Sequence, residues 1–193
     1  MKRLLITGFD PFGGQSINPS WEAVRLLPDT IGEFALCKLQ LPTCYAIAPR
    51  MLLEKTGQIH PDVIISVGQA GGRASVTPER IAVNIRDSKR ADNNGKVYSG
   101  QRINVNGDAA YFSTLPVEAM AEAICDAGLP GAVSNTAGTF VCNDVLYSVL
   151  HRFDGTAVRV GFIHVPYLPE QGEPNLPLED TVRALTAAIE ALS

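Results

Sequence analysis

A chain of 193 residues with 46% hydrophobic content can bury a sizeable core as one globular domain, and nothing in it calls for a second. Its 16 basic and 20 acidic side chains leave a formal charge of -4 without long runs of either sign, so it offers no basic footprint for nucleic acid and no polybasic patch for a membrane. The partner this composition favours is small and neutral or mildly charged. The opening Met1 to Gly8 reaches Asp10 too soon for a secretory signal, and no apolar run approaches a membrane span, so the expected compartment is the cytoplasm.

Residues 3 to 8 read as a buried strand, followed by the loop Phe9-Asp-Pro-Phe-Gly-Gly and by Asn18-Pro19, an N-cap and first-turn pair for a helix through Leu27. Residues 34 to 41 predict a second strand, about 47 to 56 a helix stopped by Gly57, and Val63 to Val67 a third strand that ends in Gly68-Gln-Ala-Gly-Gly-Arg. Thr77 to Ile85 is strand-like, and Arg86 to Asp108 is a polar excursion with room for its own hairpin. From Pro116 the spacing of Val117, Met120, Ala121, Ile124 and Cys125 predicts a helix closed by Gly128. A further strand leads into Ser134, and a helix opens at about Val141. Val158 to Val165 is the last strand, Pro166 to Pro177 a proline-punctuated loop, and Leu178, Val182, Leu185, Ile189 and Leu192 mark one face of the last helix. Strands alternating with helices predict an α/β layered domain with a largely parallel sheet, with any active site at the carboxyl ends of its strands.

The chemistry points to Ser134-Asn-Thr-Ala-Gly-Thr-Phe-Val-Cys-Asn-Asp. Val141, Val145, Val149 and Phe153 recur at fourfold spacing with Leu146 and Leu150 beside them, which places Cys142 in the first turn of an amphipathic helix with Thr139 as the expected N-cap. Unpaired N–H groups and the dipole at a helix start favour a thiolate there. The competing reading is a small buried hydrophobe. The four cysteines, at 37, 44, 125 and 142, form no C-x-x-C pair, and Cys37 and Cys125 fall in apolar patterns, so reduced core thiols are expected rather than a disulfide framework or a metal site.

A nucleophilic Cys142 needs a base, and the histidines are at 60, 151 and 164. His164 falls at a strand end before Pro166, on the edge where the Cys142 helix also starts; its competitor reading is a satisfied core histidine. His60 and His151 read as solvated. Glu79 is the leading third member, since it opens an otherwise apolar strand, against an ordinary Glu79 to Arg80 surface pair. Asp144 and Asp10 are reserves.

These segments together resemble a known family, the type I pyroglutamyl peptidases, or pyrrolidone-carboxylate peptidases, which are cytosolic cysteine peptidases. The resemblance rests on Gly8-Phe-Asp-Pro-Phe-Gly-Gly with Asn18-Pro-Ser-Trp, Gly68-Gln-Ala-Gly-Gly-Arg, Pro78-Glu-Arg-Ile-Ala, Ser134 to Asn143 and Gly161-Phe-Ile-His-Val-Pro, in order along nearly the whole chain. It implies a phosphorylase/hydrolase-like three-layer α/β/α sandwich with a mostly parallel mixed sheet, over residues 1–193 as one cysteine peptidase domain. It also implies the triad Cys142, His164 and Glu79, a homotetramer, and removal of N-terminal pyroglutamate from peptides with no cofactor. Phe9, Phe12, Gln69, Phe140, Val141 and Thr43 match positions that line the family's lactam pocket. Where the family reads Ala-Arg-Ile-Pro-Asp-Asn this chain has Ser88-Lys-Arg-Ala-Asp-Asn, which leaves Lys89 or Arg90 in place of the arginine suspected at the oxyanion.

Other classes fit less well. Neither glycine-rich turn has dinucleotide or P-loop spacing, no G-x-S-x-G occurs, and no resolving cysteine is close in sequence. A non-catalytic binding domain of the same fold remains the alternative. For a pyroglutamyl lactam, Phe9 and Phe12 would sandwich the ring faces and Gln69, which both donates and accepts, would meet its polar edge. Core packing is the competing reading of both phenylalanines.

Overall fold

Side-chain alternation along one strand sets the layering. In β1 (Lys2–Phe9), Leu4 and Ile6 belong to one buried cluster and Leu5 and Phe9 to another on the opposite face. A strand buried on both sides needs a layer on each. The computed structural model describes residues 1–192. Its remaining strands, in chain order, are β2 (Thr30–Ile31), β3 (Phe34–Leu41), β4 (Val63–Gln69), β5 (Thr77–Pro78), β6 (Ile81–Val83), β7 (Arg86–Ser88), β8 (Tyr98–Gln101), β9 (Ala110–Phe112) and β10 (Arg159–Val165). Its helices are α1 (Pro19–Leu26), α2 (Ile47–Ile59), α3 (Val117–Asp126), α4 (Val141–Phe153) and α5 (Leu178–Glu190).

The main sheet has the order β2-β3-β1-β4-β10-β5, parallel from β3 to β10 and antiparallel at both edges. Helices α1, α3 and α5 supply Val24, Ile124 and Leu185 to one cluster, while α2 and α4 supply Leu52, Val145 and Val149 to the other. This is the expected α/β/α sandwich. At about 1.5–3 kcal/mol for each fully buried large apolar side chain, packing rather than helix propensity holds these helices in place. Two small antiparallel pairs, β6 with β9 and β7 with β8, form the excursion after β5.

Several expectations give way to tertiary packing. α2 runs through Gly57 to Ile59 because Ile59 packs on the core; the helix ends at His60, whose N–H reaches Thr56 O. Thr77 to Ile85 is two strands, since Pro78 has no N–H to continue the ladder. The chain then changes partner: Glu79 N donates to Phe162 O, but Arg80 N donates to Ser134 O. No strand leads into Ser134, which makes only an isolated bridge to Glu79. Cys125 is exposed at the edge of the α3 stripe, its Sγ 3.3 Å from Gly131 O, and Cys37 is only partly buried. Among the described residues no helix is long and apolar enough to cross a membrane.

Because β1, β4 and β10 are parallel, Phe9, Gln69 and Val165 all end at one edge of the sheet. Thr7 and Ser66 bond to each other (2.9 Å) just inside that edge. The loops that leave it, together with the start of α4, enclose a cavity.

Candidate active site

The cavity has a volume of about 270 Å³ and is lined by Cys142 and His164, with Phe9, Phe12, Thr43, Gln69 and Phe140 around them. His164 lies opposite Gly68 in the β4–β10 ladder, and a Cβ built on Gly68 would stand 2.9 Å from Cys142 Sγ. Glycine is what lets the strand pass this close to the thiol. Cys142 occupies the second position of α4, whose cap is Phe140 in extended conformation without a side-chain hydrogen bond. Thr139 is not the cap, because its hydroxyl donates to Asp87 O. The start of α4 is instead bolted to the excursion: Asn143 Oδ1 accepts from Val83 N (2.9 Å) and its Nδ2 donates to Val83 O (2.8 Å) and Ile85 O (3.0 Å).

Behind His164 lies Glu79, completely buried, with Oε1 2.7 Å from His164 Nδ1. An ionised carboxylate only accepts, so Nδ1 carries the proton and Nε2 is the basic nitrogen left to the cavity. Arg73 Nη1 donates to the same Oε1 (2.6 Å) and to Thr77 Oγ1 (2.6 Å), and its Nη2 to Thr136 O (2.8 Å). Glu79 Oε2 is buried without a hydrogen-bond partner. The Ser134 hydroxyl, which donates to Thr136 O, helps keep the carboxyl ionised and is the donor able to turn to it.

Burial alone would raise the Glu79 carboxyl, but the hydrogen bond and charge of His164, with Ser134 and Arg73, hold it below the ordinary 4.5. Burial lowers His164 below 6.5, only partly opposed by Glu79, and Arg73 pushes in the same downward direction. Burial and then the Glu79 charge push the Cys142 thiol up to about 12, against the lowering effects of Arg73 and of its own backbone N–H. The helix start therefore does not make this thiol acidic, contrary to the expectation from its position. Both shifts favour the uncharged forms, and Cys142 and His164 line the same cavity.

The sequence matches the family described as pyroglutamyl peptidase over residues 2–193. The chain belongs to that family. A pyrrolidone-carboxylate peptidase of Staphylococcus aureus strain bovine RF122 / ET3-1 is 50% identical over 197 residues, covering 98% of this chain and 93% of that protein. Among solved structures, a pyroglutamyl peptidase I of Bacillus amyloliquefaciens matches with a TM-score of 0.96 and 43% identity, covering 100% of this chain and 97% of the other. A pyrrolidone carboxyl peptidase of Thermococcus litoralis matches with a TM-score of 0.95 and 35% identity over 100% and 93%.

Within this member of the pyroglutamyl peptidase family, most of the anticipated site residues lie together. Val141 is the exception: it is fully buried in the α2–α4 cluster and its side chain does not line the cavity. The aromatic pairing also differs. Phe12 neighbours Phe140 (ring centroids 5.9 Å) while Phe9, at the end of β1, neighbours Phe162 (6.2 Å), and both Phe9 and Phe12 line the cavity. Glu79 has no bond to Arg80, which pairs with Glu118 (2.6 Å). Asp144 is occupied elsewhere, accepting from Arg86 Nε (2.9 Å) and Nη2 (2.8 Å) and from the N–H of Ala46, which it holds in a left-handed conformation. Asp10 accepts from Thr43 N (2.7 Å) and fixes that wall. Lys89 is exposed, and Arg90 lies over the Phe12 ring at 5.7 Å; neither lines the cavity. His60 is exposed, and His151 bonds Tyr111 (2.8 Å) away from the site.

Sequence reasoning missed Arg73 and Asn18, both in the cavity wall. A signal for Arg73 existed: a fully buried carboxylate at 79 needs a cation, and Arg73 ends the glycine-rich turn just before it. Nothing comparable marks Asn18, which caps α1 by accepting from Ser20 N (3.1 Å) and donates to Asp10 O (2.9 Å).

Proposed function

We propose that Cys142, His164 and Glu79 together remove the N-terminal pyroglutamyl residue of peptides through a thioester acyl-enzyme. The observation that carries this is one hydrogen bond beside a shared cavity: Glu79 accepts from His164 Nδ1 at 2.7 Å, and the other imidazole nitrogen is left to a cavity that Cys142 also lines, in a chain of this family. In the first half-reaction, Sγ adds to the pyroglutamyl carbonyl carbon as the thiol proton passes to Nε2. The imidazolium then protonates the leaving amine as the C–N bond breaks. In the second, His164 takes a proton from water, whose oxygen displaces sulfur from the acyl carbon, and the thiol is restored. Glu79 keeps the imidazole in the required tautomer and stabilises its cation. Unpaired N–H groups in the first turn of α4 are the donors for the oxyanion.

Phe9, Phe12, Thr43, Gln69 and Phe140 are the substrate-binding residues of this reading, which gives the neutral lactam an apolar wall with few polar groups. Residues 1–193 act as one cysteine peptidase domain on N-terminally pyroglutamylated peptides, in the cytoplasm and as a homotetramer. Composition supports the compartment, and family resemblance supports the assembly. The test is kcat/KM on pyroglutamyl and prolyl anilides. Prolyl brings a buried ammonium and lacks the lactam carbonyl, and sites built on a substrate hydrogen bond discriminate by about 10⁴ or more. A preference above about 10³ is expected, abolished with all turnover in Cys142→Ala but retained in Cys125→Ala. Comparable hydrolysis of both anilides, or an active Cys142→Ala, would overturn the reading.

A further inference from the structure

The turn after β4 closes on itself, with Arg73 N–H donating to Ala70 O (3.3 Å), and it packs under Tyr167 so tightly that a Cβ added at Gly71 would stand 2.1 Å from that ring. Held in this way, the turn delivers the Arg73 guanidinium to Glu79, six positions on. Both bonded partners of Glu79 meet on one oxygen. Oε1 accepts from His164 Nδ1 at 2.7 Å and from Arg73 Nη1 at 2.6 Å, whereas Oε2 is buried without a partner. Arg73 also lines the cavity, with 29% of its side chain exposed. Few other charges compete there. Cys142 and His164 are the remaining titratable groups in the cavity wall, and Glu79 stands behind them. On α4 the buried Asp144 is paired with Arg86, beside β1 Asp10 is engaged by Thr43 N, and next to Glu79 the Arg80 side chain pairs with Glu118.

We propose that Arg73 is a positioning residue that sets the acid limit of the reaction: by sharing Glu79 Oε1 with His164, it lets the imidazole stay a free base at lower pH than the Glu79–His164 pair alone would allow. This rests on the reading of His164 as the base and deepens it. A carboxylate answered by His164 alone would draw a second proton onto the ring strongly. One whose same oxygen already holds a guanidinium draws it less, and the guanidinium repels the imidazolium besides. Arginine suits the task because it keeps its charge at every working pH, so its influence does not itself titrate. Burial first, and Arg73 in the same direction, hold His164 below 6.5 against the pull of Glu79. A fixed cation outside the reacting pair thus keeps the base uncharged.

Arg73→Gln removes the charge and leaves an amide able to donate to Oε1, while Arg73→Met removes both, so either serves where the other fails to fold. The acid limb of kcat/KM on a pyroglutamyl anilide reports the base of the free enzyme. A charge about 4–6 Å away moves a titrating group by roughly 1–3 pH units, and partial exposure of Arg73 puts it at the low end. The limb should therefore rise by about one pH unit, so that on its acid side the variants lose about 10-fold more than at their plateau. Arg73→Lys, which keeps a cation without the fork, should hold the limb near its wild-type position even with a lower plateau. NMR titration of the His164 ring nitrogens should show the same rise in Arg73→Gln and Arg73→Met, and it needs no turnover. Arg73 also ties down the loop before α4 through Thr136 O. A residue that did only this would lower the plateau and leave the limb and the ring titration where they are. That result, or a limb displaced to lower pH, overturns the proposal while leaving the pyroglutamyl reading intact. A wild type without pyroglutamyl preference overturns that reading, and an unmoved ring titration then still refutes the role of Arg73.

Discussion

β4 passes close to the Cys142 thiol, and Gly68→Ala probes that approach. The added methyl would lie 2.7 Å from Phe162 Cζ, 2.8 Å from its Cε1 and 2.9 Å from Cys142 Sγ. Ordinary contacts begin near 3.5 Å, so the methyl must push its neighbours by about 0.5–1 Å. Phe162 cannot yield, because it is buried to 1% exposure between Phe9 and His164, whose ring centroid is 4.7 Å away. The displacement therefore falls on the Cys142 side chain or on the strand. Overpacking of this kind costs about 1–3 kcal/mol, which for a chain of this size lowers Tm by roughly 2–12 °C. A 1 Å misplacement of a reacting group costs about 10²-fold in rate. Steady-state kinetics on a pyroglutamyl anilide should show kcat/KM down by about that factor, mostly in kcat, alongside a lower Tm by circular dichroism. Gly57→Ala is the counterpart: nothing lies within 4 Å of the added methyl and the position is helical, so about 0.5–1 kcal/mol of stabilisation with unchanged kinetics is expected. Wild-type kcat/KM and Tm in Gly68→Ala would refute the close approach.

Two further outcomes follow from the buried row. His164→Ala should lose at least the roughly 10²–10⁴-fold that a positioned base contributes, and Glu79→Gln should lose less than that variant because the base itself stays and only its tautomer and cation are left unsupported; wild-type kcat/KM in both would dissolve the triad. Stability should fall in acid: His164 and Glu79 are both lowered on folding, so their contributions are complete above about 6.5 and 4.5 and are lost as pH drops through the folded values. Thermal midpoints between pH 7 and 4 should therefore fall more steeply in the wild type than in His164→Gln, and identical slopes would contradict the assignment.

The parts of the fold that were legible are those whose partners are near in sequence or repeat with one period. β1 and β4 read as largely apolar runs because both faces are buried, and the α4 stripe read cleanly because Val145 and Val149 face a single layer. β2 was invisible: two residues make a strand only because β3 lies alongside. The break at Pro78 could be suspected from proline itself, but the direction taken by Glu79 could not, since it depends on Phe162 and Ser134 more than fifty positions away. Cys125 misled because it sits one position beyond the last core residue of its stripe, where a small rotation of α3 decides exposure. At the cavity, residue types were legible and polarity was not. Glutamine at 69 announces a polar group, but which end of its amide is free is set by Leu168 N–H and Ile17 C=O through Gln171.

The thiol shows the same limit in energetic form. A helix N-terminus favours a nearby anion by about 0.3–1 kcal/mol, rising to roughly 2 in partly buried geometry. Removing an ion from water costs several kcal/mol, and Glu79 adds a second negative charge behind the imidazole. Position on the helix can be read from spacing, whereas burial cannot, and here burial is the larger effect, which is why the thiol lies near 12 rather than below its ordinary 9.0. Two opposite charges formed together fare better than one, since at about 4 Å and an effective dielectric near 20 they attract by about 4 kcal/mol. An imidazolium beside it therefore favours a thiolate in this cavity. The same Glu79 that raises the thiol stabilises that imidazolium, and Arg73, bound to the same oxygen, tempers both effects. Cys142, His164, Glu79 and Arg73 are thus electrostatically coupled.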